Sequence, residues 1–269
     1  MIAANAGKRA GSAANSKAMS WLARTGLTAR AVVYIVLGWL AVLVGLGGSA
    51  NVDQRGALTE ILAQPFGTAM VWLLTIGFGA YALWRLSEAA FGATGEGKKP
   101  GPRLRSLARA IAYVAMAFTA QSLLHGAQAT QTGQQGALAG TVMQHAGGRL
   151  IVGIVGLVVV TVGLVLVREG WKTTFVRQFG HLPAGRRTVV VWLGRIGTIA
   201  RGIVFAVTGL LAVVAAWTAD PTKAGGIDQA FRTLLKQPFG TSLVVLLGAG
   251  LVVFGVYGLA EAAWRRVTD

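Results

Sequence analysis

The feature that most constrains this chain is a pattern that occurs three times at fixed spacing. Each copy opens with two arginines and an aromatic residue, namely Arg24, Arg30 and Tyr34, then Arg103, Arg109 and Tyr113, then Arg195, Arg201 and Phe205. Each copy closes on a glutamate, at Glu88, Glu169 or Glu261. Such a repeat indicates one supersecondary unit that is used three times. We place the units at 22–91, 103–171 and 193–266, after a flexible cytoplasmic tail at 1–21.

The composition predicts an integral membrane protein. Hydrophobic residues make up 54% of the chain and charged residues 13%, against about 25% charged in soluble proteins. Cysteine is absent, which excludes disulfide bonds and thiolate metal sites.

Six apolar runs have the length that a membrane helix needs, about 20 residues. Two runs per repeat predict an all-α integral membrane fold in which six transmembrane helices form three tandem helical hairpins, arranged as a pseudo-threefold bundle. The runs are 29–48, 67–90, 107–126, 149–170, 200–219 and 240–263.

The net charge of +16 is interpreted as an orientation signal. Only five of the 25 Lys and Arg residues lie in the loops directly after the first, third and fifth runs: Arg55, Arg149, Lys223, Arg232 and Lys236. By the positive-inside rule both termini are then cytoplasmic, in a plasma or inner membrane. The expected partners are the lipid bilayer and other membrane proteins, and not nucleic acid.

A short interfacial helix is predicted in each loop that follows an odd-numbered run. Apolar residues recur there at helical spacing over two to three turns, which is too short to cross a bilayer. Asp53 and Asp228 are predicted to cap the first and third of these helices, which Pro65 and Pro238 terminate. The middle one contains Gly140 and is predicted to be less well formed. These helices serve either as packing elements or as a gate over a central cavity.

Further repeated motifs carry a family resemblance. Gly56-Ala57-Leu58 recurs as Gly136-Ala137-Leu138, and residues 64–68 (QPFGT) recur at 237–241. The chain resembles the bacterial membrane family of domain of unknown function 1206. The middle copy departs from the pattern, with His145-Ala146 in place of Pro-Phe. The resemblance implies six helices in three hairpins, and it implies no activity, cofactor or catalytic residue.

Six repeated charges form the candidate site. The arginines are expected at the starts of odd-numbered helices and the glutamates near the ends of even-numbered helices, where the helix macrodipole disfavours each charge. Partners would therefore stabilise them, either within one hairpin or in the next. Structural ion pairs, a gating or ion-binding ring, and unpaired interfacial residues all remain open. The candidate network is Arg30, Arg109, Arg201, Glu88, Glu169 and Glu261.

The sequence predicts no enzymatic activity, no cofactor and no metal. It contains no nucleophile–base pair, phosphate-binding loop or acidic metal cluster, and His125 and His145 have no third ligand. The predicted function is that of a noncatalytic scaffold, accessory or lipid-organising membrane protein. The alternative is a small-solute or ion permease or channel along the pseudo-threefold axis. The nearly uncharged centres of the runs favour the first class, because transporters keep polar groups there.

Overall fold

The computed structural model describes residues 17–91, 100–126, 131–179 and 184–265, and within them the chain is almost entirely helical. Most of the predicted tail lies outside these ranges. The 3-10 helices Thr174–Gln178 and Pro221–Ala224 precede α7 and α8. The α-helices are α1 Lys17–Gly45, α2 Gln54–Ala63, α3 Gly67–Phe91, α4 Pro100–Leu124, α5 Gln131–Met143, α6 Gly148–Lys172, α7 Ala184–Thr218, α8 Gly226–Leu235 and α9 Gly240–Trp264.

Six of these helices, α1, α3, α4, α6, α7 and α9, are long and apolar enough to cross a membrane. This confirms the fold class of six spans in three repeated units. The spans α1, α4 and α7 begin earlier than the apolar runs, at Lys17, Pro100 and Ala184. Arg30, Arg109 and Arg201 therefore lie well inside their helices, and the macrodipole argument does not apply to them, since that effect is confined to the terminal turn. The glutamates do lie in a last turn.

The short helices α2, α5 and α8 join the two spans of each unit at one end of the bundle, which we call the connector end. The opposite end, where α1 begins and α9 finishes, is the terminal end. Asp53 caps α2 as predicted, because its Oδ1 accepts a hydrogen bond from the Gly56 N–H at 2.7 Å. Asp228 does not cap α8. It lies within the first turn of that helix, and its Oδ1 accepts instead from the Val52 N–H at 2.9 Å.

The closest helix packing occurs between successive units. The second span of each unit packs on the first span of the next, and the third unit packs back on the first, which gives the pairs α3–α4, α6–α7 and α9–α1. Small residues at matching repeat positions allow this approach. They are Gly163 with Gly202 in α6–α7, Gly255 with Ala31 in α9–α1, and the buried Ala82 and Ala110 in α3–α4. Gly156 and Gly163 of α6 thus lie against the backbone of α7, whereas Gly153 of the same helix does not.

The ring of spans is open on one side. Around the bundle the packed neighbours run in the order α6, α7, α9, α1, α3, α4, and in the described chain α4 and α6 do not form a packed pair. We call the gap between them the lateral opening. Only 11% of the most apolar stretch of α6 is buried, against 56% in α1. The two spans of the middle unit, α4 and α6, therefore lie apart from one another.

The middle connector follows the same asymmetry. Helix α5 is formed over 13 residues, yet none of them is buried. Helices α2 and α8 each bury apolar residues, including Leu58 and Phe231. The middle connector is therefore helical but sits on the surface of the connector end.

Candidate functional site

The first arginine of each repeat caps a helix of the preceding unit. Its guanidinium donates to backbone carbonyls in the last turn, which have no partner within the helix. These contacts place a cation at the negative end of the macrodipole. The donor and acceptor residues are Arg24 with Ala262 and Ala263, Arg103 with Ala89 and Ala90, and Arg195 with Trp171. The first arginine of each repeat therefore contributes to the packed interface between successive units, which we call the seam.

Glu261 forms the most complete ion-pair cluster of the network. One carboxylate oxygen accepts from Arg30 of α1 and the other from Arg265. The Glu261 side chain is 5% exposed and the two arginines are 11% exposed. The ring of Phe254 lies 5.5 Å from the Arg30 guanidinium. The repeated glutamate of the third unit therefore pairs with the repeated arginine of the next unit in the cycle, and not within its own hairpin.

Glu88 is bound differently, although it occupies the same repeat position. It accepts from Arg85 on its own helix at 2.5 Å and from the Ser106 hydroxyl of α4 at 2.9 Å. Arg85 is buried, donates to the Tyr81 hydroxyl at 2.6 Å and lies over the Trp84 ring. Glu88 consequently does not reach Arg109, the residue that corresponds to Arg30.

The remaining three members of the candidate network are not paired. Within the described residues, neither Glu169, Arg109 nor Arg201 forms an ion pair or a side-chain hydrogen bond. Arg201 lies instead over three aromatic rings, at 5.0 to 5.3 Å from their centres. Its Nε is buried without a hydrogen-bond acceptor. Arg109 is exposed on α4.

Four arginines of this region lie over aromatic rings: Arg30, Arg85, Arg201 and Arg265. The charge of Arg109 interacts with those of Arg85, Arg201 and Arg265. The Tyr81 ring packs on Tyr113 at 4.3 Å, and the Arg85 guanidinium lies 4.9 Å from its centre. Cation–π contacts stabilise such an arrangement, but aromatic faces do not accept the in-plane N–H bonds of a guanidinium.

Two functional arginines were missing from the sequence-based network. Arg85 precedes Glu88 by three residues, and Arg265 follows Glu261 by four. Both spacings bring side chains together on a helix surface. Glu169 has Leu166 and Thr173 at the corresponding positions, so no arginine at these spacings holds it.

A second charged cluster lies at the connector end. Asp53 and Asp228 are both buried, and the Thr132 hydroxyl lies 3.5 Å from the first carboxylate and 3.4 Å from the second. Burial raises the pKa of Asp53 above its ordinary value, and the charge of Asp228 raises it further. Asp228 is paired with Arg232 at 2.6 Å. This cluster joins all three units, since Thr132 belongs to α5.

The caps, seams and glutamates recur at equivalent positions of three tandem units, as expected for a repeat family. Residues 25–92, 104–173 and 196–265 match the family described as Domain of Unknown Function (DUF1206). The chain belongs to the DUF1206 family. This confirms the resemblance seen in the sequence, and the matched segments correspond to the units that build the seams.

A relative from Bacillus subtilis (strain 168) supports the same assignment. The chain is 26% identical over 250 residues to "Uncharacterized protein YxxB", which covers 91% of this chain and 90% of that protein. The similarity therefore extends over all three DUF1206 repeats. No solved structure matches the chain.

Proposed function

We propose that this DUF1206 protein is a noncatalytic membrane protein that organises the lipids around it. The observation that carries the proposal is the lateral opening, whose flanking helices α4 and α6 are largely unburied. Many of their exposed side chains are large and apolar, including Ile111, Phe118, Ile154 and Val158. In a bilayer such a surface takes lipid chains or another apolar helix.

A groove on another side of the bundle supports the same role. It lies between α7 and α9, has a volume of about 360 Å³ and is lined by apolar side chains such as Leu193 and Val256. Arg186 and Trp264 line it toward the terminal end, with the guanidinium 5.7 Å from the ring centre. An apolar groove beside a basic interfacial residue suits an acyl chain with an anionic headgroup.

The alternative is a permease or channel, which requires polar groups along a central pathway. Apart from the buried charged clusters around Glu261, Arg85 and Asp228, the core contains large apolar side chains, among them Leu37, Phe78, Val204 and Leu251. We therefore place the function of this protein on its lipid-facing surface, with membrane scaffolding as the broader class.

Site-directed spin labelling tests the proposal, and the absence of cysteine makes single labels simple to introduce. We expect labels at Phe118→Cys and Val158→Cys, in liposomes, to collide with oxygen and not with a water-soluble nickel complex. A label at the buried Ala215 should be shielded from both reagents, and one at the exposed Gln64 should be open to the nickel complex.

Two results would contradict the proposal. Nickel access at Phe118 or Val158 would show water beside these helices and favour the permease. Shielding of both positions from both reagents would show that protein, and not lipid, covers the surface.

A further inference from the structure

The middle connector α5 is attached to the other two connectors by polar contacts in its first turn. The Gln131 side chain forms two hydrogen bonds with α2, one to a backbone N–H and one to a side chain. The Thr132 hydroxyl lies between the carboxylates of Asp53 in the first unit and Asp228 in the third. No residue of α5 is buried, so its attachment depends on these polar contacts more than that of α2 or α8 does.

The Thr132 hydroxyl does not satisfy both carboxylates when both are ionised. It has a single hydrogen to donate, and its oxygen lies 3.5 Å from Asp53 Oδ2 and 3.4 Å from Asp228 Oδ2. Both distances exceed the usual O–H···O range of about 2.5 to 3.0 Å. A second hydrogen bond at this oxygen therefore requires a carboxyl group that is protonated and donates.

Of the two carboxyl groups, Asp53 is the one that lacks a counter-charge. Asp228 has Arg232 at 2.6 Å and also accepts from the Val52 N–H at 2.9 Å. The partners of Asp53 in the described chain are the Gly56 N–H, at 2.7 Å from Oδ1, and the Thr132 hydroxyl. Asp53 is 2% exposed, and burial without a cation disfavours the ionised form of a carboxyl group.

Few other ionisable groups surround Asp53. Helix α5 contains no Asp, Glu, Lys, Arg or His, and neither do the parts of α1, α3 and α4 on the connector side, at 31–45, 67–84 and 110–124. Beyond Asp228 and Arg232, the neighbouring elements contribute Arg55 and Glu60 of α2, His125 after α4, and Asp220 and Lys223 beside the second 3-10 helix. Of these five only Arg55 is buried, and Asp53 forms no ion pair with it.

We propose that a proton on Asp53 latches the middle connector to the other two. The proton comes from water at the connector end and binds Asp53 Oδ2, which then donates to the Thr132 oxygen, while the Thr132 hydrogen points to Asp228. This chain of hydrogen bonds joins α2, α5 and α8, one helix from each unit. Loss of the proton leaves two negative charges that face one another across the hydroxyl, and it releases α5.

The latch has a defined direction with pH. The raised pKa of Asp53 agrees with a folded state that retains this proton. Docking of α5 therefore strengthens as the pH falls and weakens as the pH rises through the pKa of Asp53. Because α5 connects α4 to α6, the latch restrains the two spans that border the lateral opening. The inference does not depend on the proposed lipid-organising function.

The distance between spin labels on α5 and α2 tests the latch in the full chain. The pair Leu138→Cys and Glu60→Cys places both labels at exposed positions of a cysteine-free protein. Liposomes with the same buffer inside and outside are measured between about pH 8 and about pH 4. We expect a narrow distance peak at low pH and a broad distribution at high pH. The ratio of docked to released molecules should change about tenfold, which corresponds to a difference of about one in the pKa of Asp53 between the two states.

Four variants assign the response to the hydrogen-bond chain. Asp53→Asn keeps a capping oxygen and supplies an amide N–H to Thr132 at every pH, so α5 should stay docked throughout. Thr132→Val removes the hydroxyl and should abolish the response, whereas Thr132→Ser should restore it. His125→Gln removes another ionisable group of the connector end and should respond to pH as the wild type does.

Several outcomes would overturn the proposal. One is a distance distribution of the wild type that does not change with pH, and another is an Asp53→Asn variant that still responds. A response that persists in Thr132→Val would show that the carboxylates act without the hydroxyl. A response that disappears in His125→Gln would assign it to the histidine.

Discussion

At the scale of single residues, the same repeat position has three different surroundings. Glu261 is held by two arginines, Glu88 by one arginine and a serine, and Glu169 by no described side chain. Arg85, which lies near Glu88 in sequence, and Arg265, which lies near Glu261, explain the difference. A local arginine competes for the glutamate in the first unit and joins it in the third, whereas the second unit has none at these spacings.

This contrast predicts unequal effects of the same substitution. Glu261→Gln leaves Arg30 and Arg265 buried without an ionised partner, a change that typically costs on the order of 3 kcal/mol. Glu169→Gln should change the free energy of unfolding by less than about 0.5 kcal/mol. Thermal unfolding in detergent compares the two variants, and equal losses would contradict the assigned pairing. Arg30→Met combined with Glu261→Gln should cost less than the sum of the two single changes.

Asp53 gives a prediction about pH at the connector end. Its pKa in the folded protein is raised above 3.8, so the folded state binds more protons than the unfolded state, and stability falls as the pH rises through this range. Asp53→Asn keeps a capping oxygen and removes the charge that faces Asp228. We expect this variant to unfold at a higher temperature than the wild type at pH 7.5, and to lose the advantage near about pH 3.5.

A matched control for Asp53 is available in the same region of the chain. Asp220 is exposed, and a hydrogen bond from the Thr222 hydroxyl lowers the pKa of its carboxyl group. Asp220→Asn should therefore give no stabilisation at neutral pH. If Asp53→Asn also fails to stabilise the protein, the repulsion between the two buried carboxylates is compensated.

At the scale of helices, two of the three seams, α6–α7 and α9–α1, contain glycines that lie against the backbone of the neighbouring helix. An added Cβ at Gly163 would lie 2.5 Å from the Ala206 nitrogen and 2.7 Å from the Gly202 oxygen, both in the backbone of α7. At Gly153 of the same helix the nearest atom would be the Ala216 Cβ, at 3.6 Å. The two glycines of α6 therefore have different roles.

The prediction compares alanine at these two positions. Gly163→Ala should force α6 away from α7 and cost about 1 to 3 kcal/mol, as overpacking does. Gly153→Ala should be neutral or stabilising by up to about 1 kcal/mol, because alanine favours the helix. Unfolding temperatures in detergent measure both. A destabilisation of equal size at both sites would show that Gly163 is not a close-packing position.

The sequence predicts these elements more accurately than it predicts their partners. Apolar runs and repeat spacing locate the six spans and the Asp53 cap, because these depend on short stretches of chain. The lateral opening depends on whether α4 and α6 meet, and no local pattern records that contact. The three units look equivalent in their motifs, yet the two spans of the middle unit do not form a packed pair and its connector buries no side chain. The three units are therefore more alike in sequence than in packing.

At the scale of the whole molecule, the closure of the third unit on the first holds both ends of the described chain together. Arg24 near the start contacts Ala262 and Ala263 near the finish. Both ends of the described chain therefore lie at the terminal end of the bundle. The excess of basic residues at this end predicts that it faces the cytoplasm. The groove beside Arg186 would then open toward the cytoplasmic leaflet, where anionic lipids are concentrated.

Cysteine labelling tests this orientation with a membrane-impermeant reagent. In intact cells we expect Gln64→Cys, which is exposed at the connector end, to react from outside. Lys172→Cys, which is exposed at the terminal end, should react only after the membrane is opened. If Lys172→Cys reacts from outside and Gln64→Cys does not, the orientation is the opposite of the predicted one, and the arginine cluster lies on the outer side of the membrane. Labelling of both positions from outside would contradict the arrangement of six spans itself, since three spans, α3, α4 and α6, lie between Gln64 and Lys172 and an odd number of crossings puts them on opposite sides.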